Sequence, residues 1–479
     1  MTDSKLIRQI TAMDGRERER LRQFVASPYF NRHAATEALL AFILKELGKK
    51  RPKLDGARAQ DAMKGIGAGM KLTDLQSALM KLVNKFLAVE QLQAETFREE
   101  VLTLKRTKAL ERFSLLDNRG KRLDRKVAKH PFRDGDTHLA AYEWKNISGY
   151  RQAEANRKDT REMQSMLDHL DRFYIVEKLR HACRLTANMM VVNTHYDFLF
   201  VEPIIAYLNS DEGRPLLHET VEPSIDCYYH ILHSLRQPDE VAHYNRMLFY
   251  LDESIDRLPE AHQRDLYGFA SNYCIGRIMT GHAEYRRKLL ELYRSGLNSG
   301  IIYAQGKISE FDYKNIVTLG SALGEYEWTE RFIEDNRERL PARERDNAYA
   351  LNKAQFLYSR QRYDEAARLL FTVSDSDVKI HLARVLLEVR IAYDQHDQES
   401  ALNLLENLRL YVMRNRNVST KDKKGYNSFI RYTKQLVNLK HQRDFMAKAA
   451  YTKKMAALKD AISGTESVYA QAWLLREIG

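Results

Sequence analysis

Apolar residues return at helical spacing along most of this chain. The segment 72–93 is one example, with its apolar residues at Leu75, Leu79, Leu82, Val83, Phe86 and Leu87. A second run, 166–192, shows the same three- and four-residue steps. No segment shows the strict alternation of apolar and polar positions that is typical of a half-buried strand. The pattern therefore predicts an all-α protein.

A pair of helices recurs three times between about residues 313 and 411. The clearest copy runs from Ala350 to Tyr358 and then from Arg362 to Leu370, with small residues where the helices cross and large ones around them. Tyr358, Ala366 and Leu370 recur 35 residues later as Tyr393, Ala401 and Leu405. Tyr363 has its match 37 residues earlier, at Tyr326. A period of about 34 with this pattern is typical of tetratricopeptide-like helix pairs, which stack into an α-solenoid.

The same pattern divides the chain into four regions. Residues 1–135 form an N-terminal helical region with a basic segment, and 136–224 a linker region of long helices. Residues 225–414 hold the tetratricopeptide-like repeats, and 415–479 the basic C-terminal helices. The glycine-rich run 65–69 is predicted to be a loop. It lacks the preceding strand and the following Gly-Lys-Ser/Thr of a phosphate-binding loop, so a plain loop is the better interpretation.

Composition indicates the broad class of protein. The chain has 479 residues, too many for one compact core unless it grows by stacking repeats, and it is 44% hydrophobic and 30% charged. Its cysteines, Cys183, Cys227 and Cys274, lie in apolar helical stretches without a C-x-x-C pair, so we expect buried free thiols in a reducing compartment. The sequence shows neither a signal peptide nor a membrane span. We therefore expect a cytoplasmic protein without a membrane partner.

The net charge of +12 is concentrated in two segments. Residues 104–133 hold 11 Lys/Arg against three acids, and 414–459 hold 13 against two. Aromatic residues interleave with the second segment, a combination that can bind single-stranded nucleic acid. The alternative, which we favour, is that Phe429, Ile430, Leu436, Val437 and Leu439 form the core face of an amphipathic helix whose lysines are solvated.

Known catalytic and cofactor motifs are missing from the sequence, including Walker A, HExxH, GxSxG, paired CxxC and a dinucleotide-binding glycine fingerprint. The nearest to a metal site is Cys227, His230 and His233 on one predicted helix. Zinc needs a fourth ligand, and steps of three residues drift around a helix, so a half-buried helix face is the simpler interpretation. We therefore predict no catalytic residue, no cofactor and no metal ligand.

Six segments of the chain are distinctive, namely Phe24–Asn31, Leu79–Leu87, Phe173–Arg180, Tyr313–Val317, Trp328 with Phe332–Glu334, and Trp473–Leu475. Together they resemble a family of uncharacterised helical-repeat proteins from Bacteroidota. They follow one another in order over nearly the whole chain. The resemblance implies a helical-repeat fold and supplies no activity or site residue.

The leading functional expectation is that the chain is not an enzyme and that the solenoid binds a protein partner of unknown identity. Asn315, Asn352 and Gln355 are candidates for exposed positions on the first helices of the pairs. A nucleic-acid-associated protein that uses 104–133 and 414–459 is the alternative. An enzyme whose pocket gathers distant residues is the third.

Overall fold

The computed structural model describes residues 4–63, 66, 71–155, 160–191, 194–253, 258–374 and 377–479. It is 76% helical, and no strand occurs among these residues, which confirms the all-α prediction. An isolated antiparallel bridge joins Ala304 and Lys307. Apart from Ile66, the predicted loop 65–69 lies outside the described residues.

The helices pack neighbour to neighbour, as in a solenoid. Those up to the middle of the chain are α1 Lys5–Ala12, α2 Gly15–Ala26, α3 Ala34–Leu47, α4 Gly56–Ala62, α5 Leu72–Ala94, α6 Arg98–Ala109, α7 Phe113–Ala128, α8 Gly135–Ala155, α9 Arg161–Val191, α10 Val201–Asn209 and α11 Pro223–Arg236. Those that follow are α12 Val241–Asp252, α13 Glu260–Met279, α14 Tyr285–Ser299, α15 Glu310–Ala322, α16 Tyr326–Asp335, α17 Arg345–Ser359, α18 Tyr363–Leu370, α19 Val378–Asp394, α20 Gln398–Arg414, α21 Thr420–His441, α22 Lys448–Ser463 and α23 Gln471–Ile478. Short 3₁₀ helices span Arg214–Leu216, Arg337–Arg339 and Arg443–Phe445.

The chain forms two compact units. The first unit comprises Met1–Ala182 and Asp197–Tyr229, and the second comprises Cys183–Tyr196 and His230–Gly479. The four regions drawn from the sequence remain a prediction.

The described residues of the first unit include two apolar clusters. One joins buried residues of α1, α2, α3, α4 and α5, and the other joins α6, α7 and α8 around Trp144. Gly120 of α7 lies directly against the Trp144 ring, and a Cβ there would overlap the indole. Because only glycine fits, the close approach of α7 to α8 depends on this residue.

The second unit contains the repeated hairpins that the sequence predicts. In the pair α17–α18, Ala354, Ala366 and Leu370 are fully buried and the rings of Tyr358 and Tyr363 lie 5.8 Å apart. The matching residues Ala401 and Leu405 of α20 are fully buried too. The small residues therefore sit at the helix crossings, as expected.

One turn geometry recurs in these hairpins. Gly324, Gln361 and His396 all have positive φ, of 73°, 59° and 61°, and their spacing matches the sequence repeat. The next residue donates a hydrogen bond to the carbonyl five positions before it, as in Arg362 N–H to Leu357 O at 2.9 Å. This six-to-one bond defines a Schellman cap, which ends a helix and sets the direction of the next. Glu111 and Gly281 adopt the same turn after α6 and α13.

Among the described residues, no helix combines the length and the apolar character that crossing a membrane requires.

Candidate functional site

A groove of about 480 Å³ lies in the first unit, between α9, α10 and the 3₁₀ helix Arg214–Leu216. Its apolar lining comprises Tyr174, Ile175, Phe200, Pro203, Ile204, Tyr207 and Leu216. All three aromatic residues of this lining are exposed, with exposed fractions of 63% for Phe200, 45% for Tyr174 and 42% for Tyr207. An apolar, concave surface of this size is typical of a site that binds a small molecule or a side chain of a partner.

The exposed apolar surface continues along α9. Leu167, Leu170 and Tyr174 are spaced by three and four residues, so they lie on one side of this helix, and all three are exposed. Val176 and Leu179 point to the interior and are fully buried. The helix therefore has one apolar stripe for the core and a second one that faces solvent beside the groove.

Phe200 stands at the groove on a strained backbone. It is the residue before α10, and its φ of 65° lies in the left-handed region that bulky side chains rarely adopt, at a cost of roughly 1 kcal/mol or more. The first turn of α10 fixes it there, because Ile204 N–H donates to the Phe200 carbonyl at 3.2 Å. Phe200 therefore combines a strained backbone with a ring that remains mostly in solvent.

The rim of the groove is acidic. Asp168, Asp171 and Glu212 line it, and Asp168 accepts a hydrogen bond from Gln164 at 2.8 Å. Arg172 also lines the groove, but its Nε lies 3.0 Å from Glu222 Oε1, so an internal carboxylate compensates its charge. The remaining charge at the rim is negative.

A buried polar cluster lies behind Arg172. Glu222 and His138 are 4% and 1% exposed, and His138 Nε2 lies 3.1 Å from Glu222 Oε2. On the other side of the same ring, the Nδ1 atoms of His138 and His169 are 3.2 Å apart, so one donates a hydrogen bond to the other. The cluster joins α8, α9 and the residue that precedes α11, and so holds the groove wall in place.

Burial lowers the pKa of His169 to about 4, and the neighbouring His138 contributes to the shift. His169 is therefore neutral at pH 7. A neutral imidazole at His169 can share a hydrogen bond with His138 without adding a positive charge to the buried cluster.

The three sequence candidates for a binding face have internal partners. Asn352 is buried, and its Nδ2 donates to the Ala348 carbonyl at 2.8 Å within α17, so the expectation that it is exposed is wrong. Gln355 is half-buried and accepts from Arg390 Nη1 at 3.4 Å. Asn315 is half-buried beside Tyr293. None of the three lines the groove.

Cys227, His230 and His233, the nearest to a metal site in the sequence, all lie on α11. Cys227 is buried, like Cys183 and Cys274, and all three are free thiols, which confirms the prediction of buried free thiols. His230 Nδ1 lies 2.8 Å from Nδ1 of His243. Across the described parts of the chain, no group of three His, Cys, Asp or Glu side chains could hold a metal ion.

The structure places both basic segments, and the first of them is partly neutralised within its own unit. In 104–133, Lys105 pairs with Glu143 at 2.5 Å and Lys126 with Glu100 at 3.2 Å. In 414–459, Phe429 is fully buried, which agrees with the core-face interpretation of this helix.

Sequence reasoning did not identify the groove. The available indication was that α9 carries apolar residues on two sides, and that Phe198, Leu199 and Phe200 stand together just before α10. Their convergence depends on contacts between distant segments, which a single sequence does not define.

Comparisons with protein-family models, with curated proteins and with solved structures found no match to this chain.

Proposed function

We propose that this chain is a non-catalytic helical-repeat protein, and that the groove beside α9 and α10 binds a segment of another protein. The observation that carries the proposal is the set of exposed aromatic rings, Phe200, Tyr174 and Tyr207, around one apolar groove. Aromatic side chains dominate binding energy at protein interfaces because they bury large areas at little conformational cost. The three buried free thiols suit a reducing cytoplasmic setting.

The negative charge of the rim indicates which kind of partner segment the groove would bind. Asp168, Asp171 and Glu212 surround an apolar floor, so the matching segment carries a bulky apolar anchor flanked by lysine or arginine. The floor would hold the anchor, and the rim would pair with the flanks and exclude acidic segments. The nucleic-acid alternative would use the basic segments 104–133 and 414–459, and in the first of these Lys105 and Lys126 already pair with carboxylates.

The test is a fluorescence anisotropy titration with three labelled peptides. They share one leucine-and-tryptophan anchor and differ only in lysine, glutamine or glutamate flanks. We expect the lysine-flanked peptide to bind at least about tenfold more tightly than the glutamate-flanked one. Phe200→Ala and Tyr174→Ala should each weaken its binding about tenfold, the effect of a typical interface anchor.

Phe371→Ala is the matched control, since Phe371 is 91% exposed and does not line the groove. Its affinity should equal that of the unaltered protein. Equal affinity of all three peptides, or no effect of the two groove variants, would show that the groove does not bind a segment of this kind.

A further inference from the structure

A separate cavity of about 240 Å³ lies in the second unit, where the turn after α19 meets the start of α20 and the end of α21. Its lining residues are Tyr393, His396, Gln398, Ala401, Val437, Lys440, His441 and Asp444. Hydrogen-bond donors outnumber acidic groups in this lining, because Asp444 is its single carboxylate and is exposed. The cavity is therefore suited to an acceptor or an anion.

Two buried side chains carry hydrogen-bond donors here. Tyr393 lines the cavity, and Trp473 packs against Tyr393. Tyr393 is 5% exposed, and its hydroxyl has no hydrogen-bond partner among the described residues. Trp473 is 4% exposed, its Nε1–H is equally unpaired there, and its ring centroid lies 5.1 Å from that of Tyr393. Buried polar groups in folded proteins nearly always have a partner, and the Tyr393 hydroxyl belongs to a residue that lines the cavity, so it is placed to donate to an acceptor bound there. Burial raises the pKa of Tyr393, which keeps its hydroxyl protonated and able to donate.

A positive charge stands over the same tyrosine. Lys440 Nζ lies 4.3 Å from the centroid of the Tyr393 ring. The nearest carboxylate oxygen, Glu477 Oε2, is 3.8 Å away, beyond hydrogen-bond distance, and the other oxygen of Glu477 already accepts from Arg476. Lys440 and Glu477 therefore form an ion pair without a hydrogen bond, and the ammonium N–H groups of Lys440 can still donate to an anion in the cavity.

The start of α20 adds to the positive potential. Gln398 and Ala401, in the first turn of this 17-residue helix, both line the cavity. The amides of these two residues are already engaged, because Gln398 N–H donates to the His396 carbonyl at 3.2 Å and Ala401 N–H to the Asp397 carbonyl at 3.0 Å. The contribution of this helix end is therefore its dipole, which favours negative charge near the N-terminus.

We infer that this cavity binds a small organic or inorganic oxyanion, a carboxylate or a phosphate, through the Tyr393 hydroxyl and the Lys440 ammonium. A volume of 240 Å³ corresponds to roughly eight water molecules, which suits a small metabolite and not a polymer. The site is independent of the groove in the first unit, so either proposal can fail alone.

Isothermal titration calorimetry with two probes tests the inference and distinguishes a phosphate ligand from a carboxylate ligand. Inorganic phosphate represents the phosphate class and succinate the carboxylate class, with sodium chloride at matched ionic strength as the baseline. We expect saturable binding of at least one probe, and the one that binds identifies the class. Lys440→Met should weaken this binding about tenfold. Lys434→Met is the matched control, because Lys434 lies on the same helix and does not line the cavity.

Tyr393→Phe provides a second measurement, which does not remove the aromatic ring from the core. If the hydroxyl contacts the anion, affinity should fall at least about threefold while the thermal midpoint without anion stays equal or rises. Two outcomes would overturn the inference. One is the absence of saturable binding of both probes, and the other is equal affinity of the unaltered protein, Lys440→Met and Tyr393→Phe.

Discussion

Removal of the Glu222 carboxylate should lower the free energy of unfolding of the first unit, and the contacts of this carboxylate in the buried cluster indicate by how much. Both oxygens are engaged, Oε2 with His138 Nε2 at 3.1 Å and Oε1 with Arg172 Nε at 3.0 Å. Breaking a buried ion pair from one side typically costs 3–5 kcal/mol. Arg172 is 29% exposed and can turn to solvent, so we expect the lower end, about 3 kcal/mol for Glu222→Ala.

Glu222→Gln should cost less, about 1–2 kcal/mol. The amide keeps the shape of the side chain and one acceptor oxygen, but it loses the charge that strengthens both contacts. Glu212→Ala is the control, because Glu212 is an exposed rim residue, and surface changes of this kind stay within about 0.5 kcal/mol.

Urea denaturation followed by circular dichroism gives these free energies of unfolding, and the two units need not unfold together. Hydrogen exchange at amides of α8 and of α9 up to Ala182 assigns the loss to the first unit. A loss below about 1 kcal/mol for Glu222→Ala, or equal effects of Glu222→Ala and Glu212→Ala, would refute the view that this cluster holds the groove wall.

Three further outcomes follow from local geometry. Gln361→Gly should stabilise the protein by about 0.5–1 kcal/mol in urea denaturation, since glycine accepts the φ of 59° without strain; a loss would contradict this. Gly120→Ala should cost about 3 kcal/mol because its methyl group would overlap the buried Trp144 ring, and an unchanged thermal midpoint would contradict the packing. His169 has a pKa of about 4 when folded and about 6.5 when unfolded, so stability should fall as pH drops from 6.5 to 4, where only the unfolded chain gains the proton. His169→Asn should lessen the loss between pH 7 and 5 by about 1 kcal/mol, after allowance for its partial exposure, and an identical pH dependence would refute the assignment.

The fold could be predicted from the sequence because its repeats are local. Ala354 and Ala366 mark helix crossings within one hairpin, and a hairpin is defined by neighbouring residues. The Schellman turns were harder to find, since Gln361 and His396 occupy the left-handed position where glycine is the usual indication.

The groove and the oxyanion cavity depend on contacts between distant segments. Tyr174 and Phe200 are 26 residues apart, and no periodicity relates them. Asn352 was expected to be exposed and is buried, which the sequence alone could not show. Its side chain donates a hydrogen bond to a carbonyl on the preceding turn of its own helix, so it needs no contact with solvent or a ligand. Sequence pattern indicated which residues form helices, and tertiary packing decided which of them stay exposed.

Reversal of the rim charge tests the central claim most directly. In a protein that carries Asp168→Lys and Asp171→Lys, the peptide with glutamate flanks should bind more tightly than the peptide with lysine flanks, which inverts the original preference. An unchanged preference for the lysine-flanked peptide would contradict the proposal that this groove binds a basic segment of a partner protein.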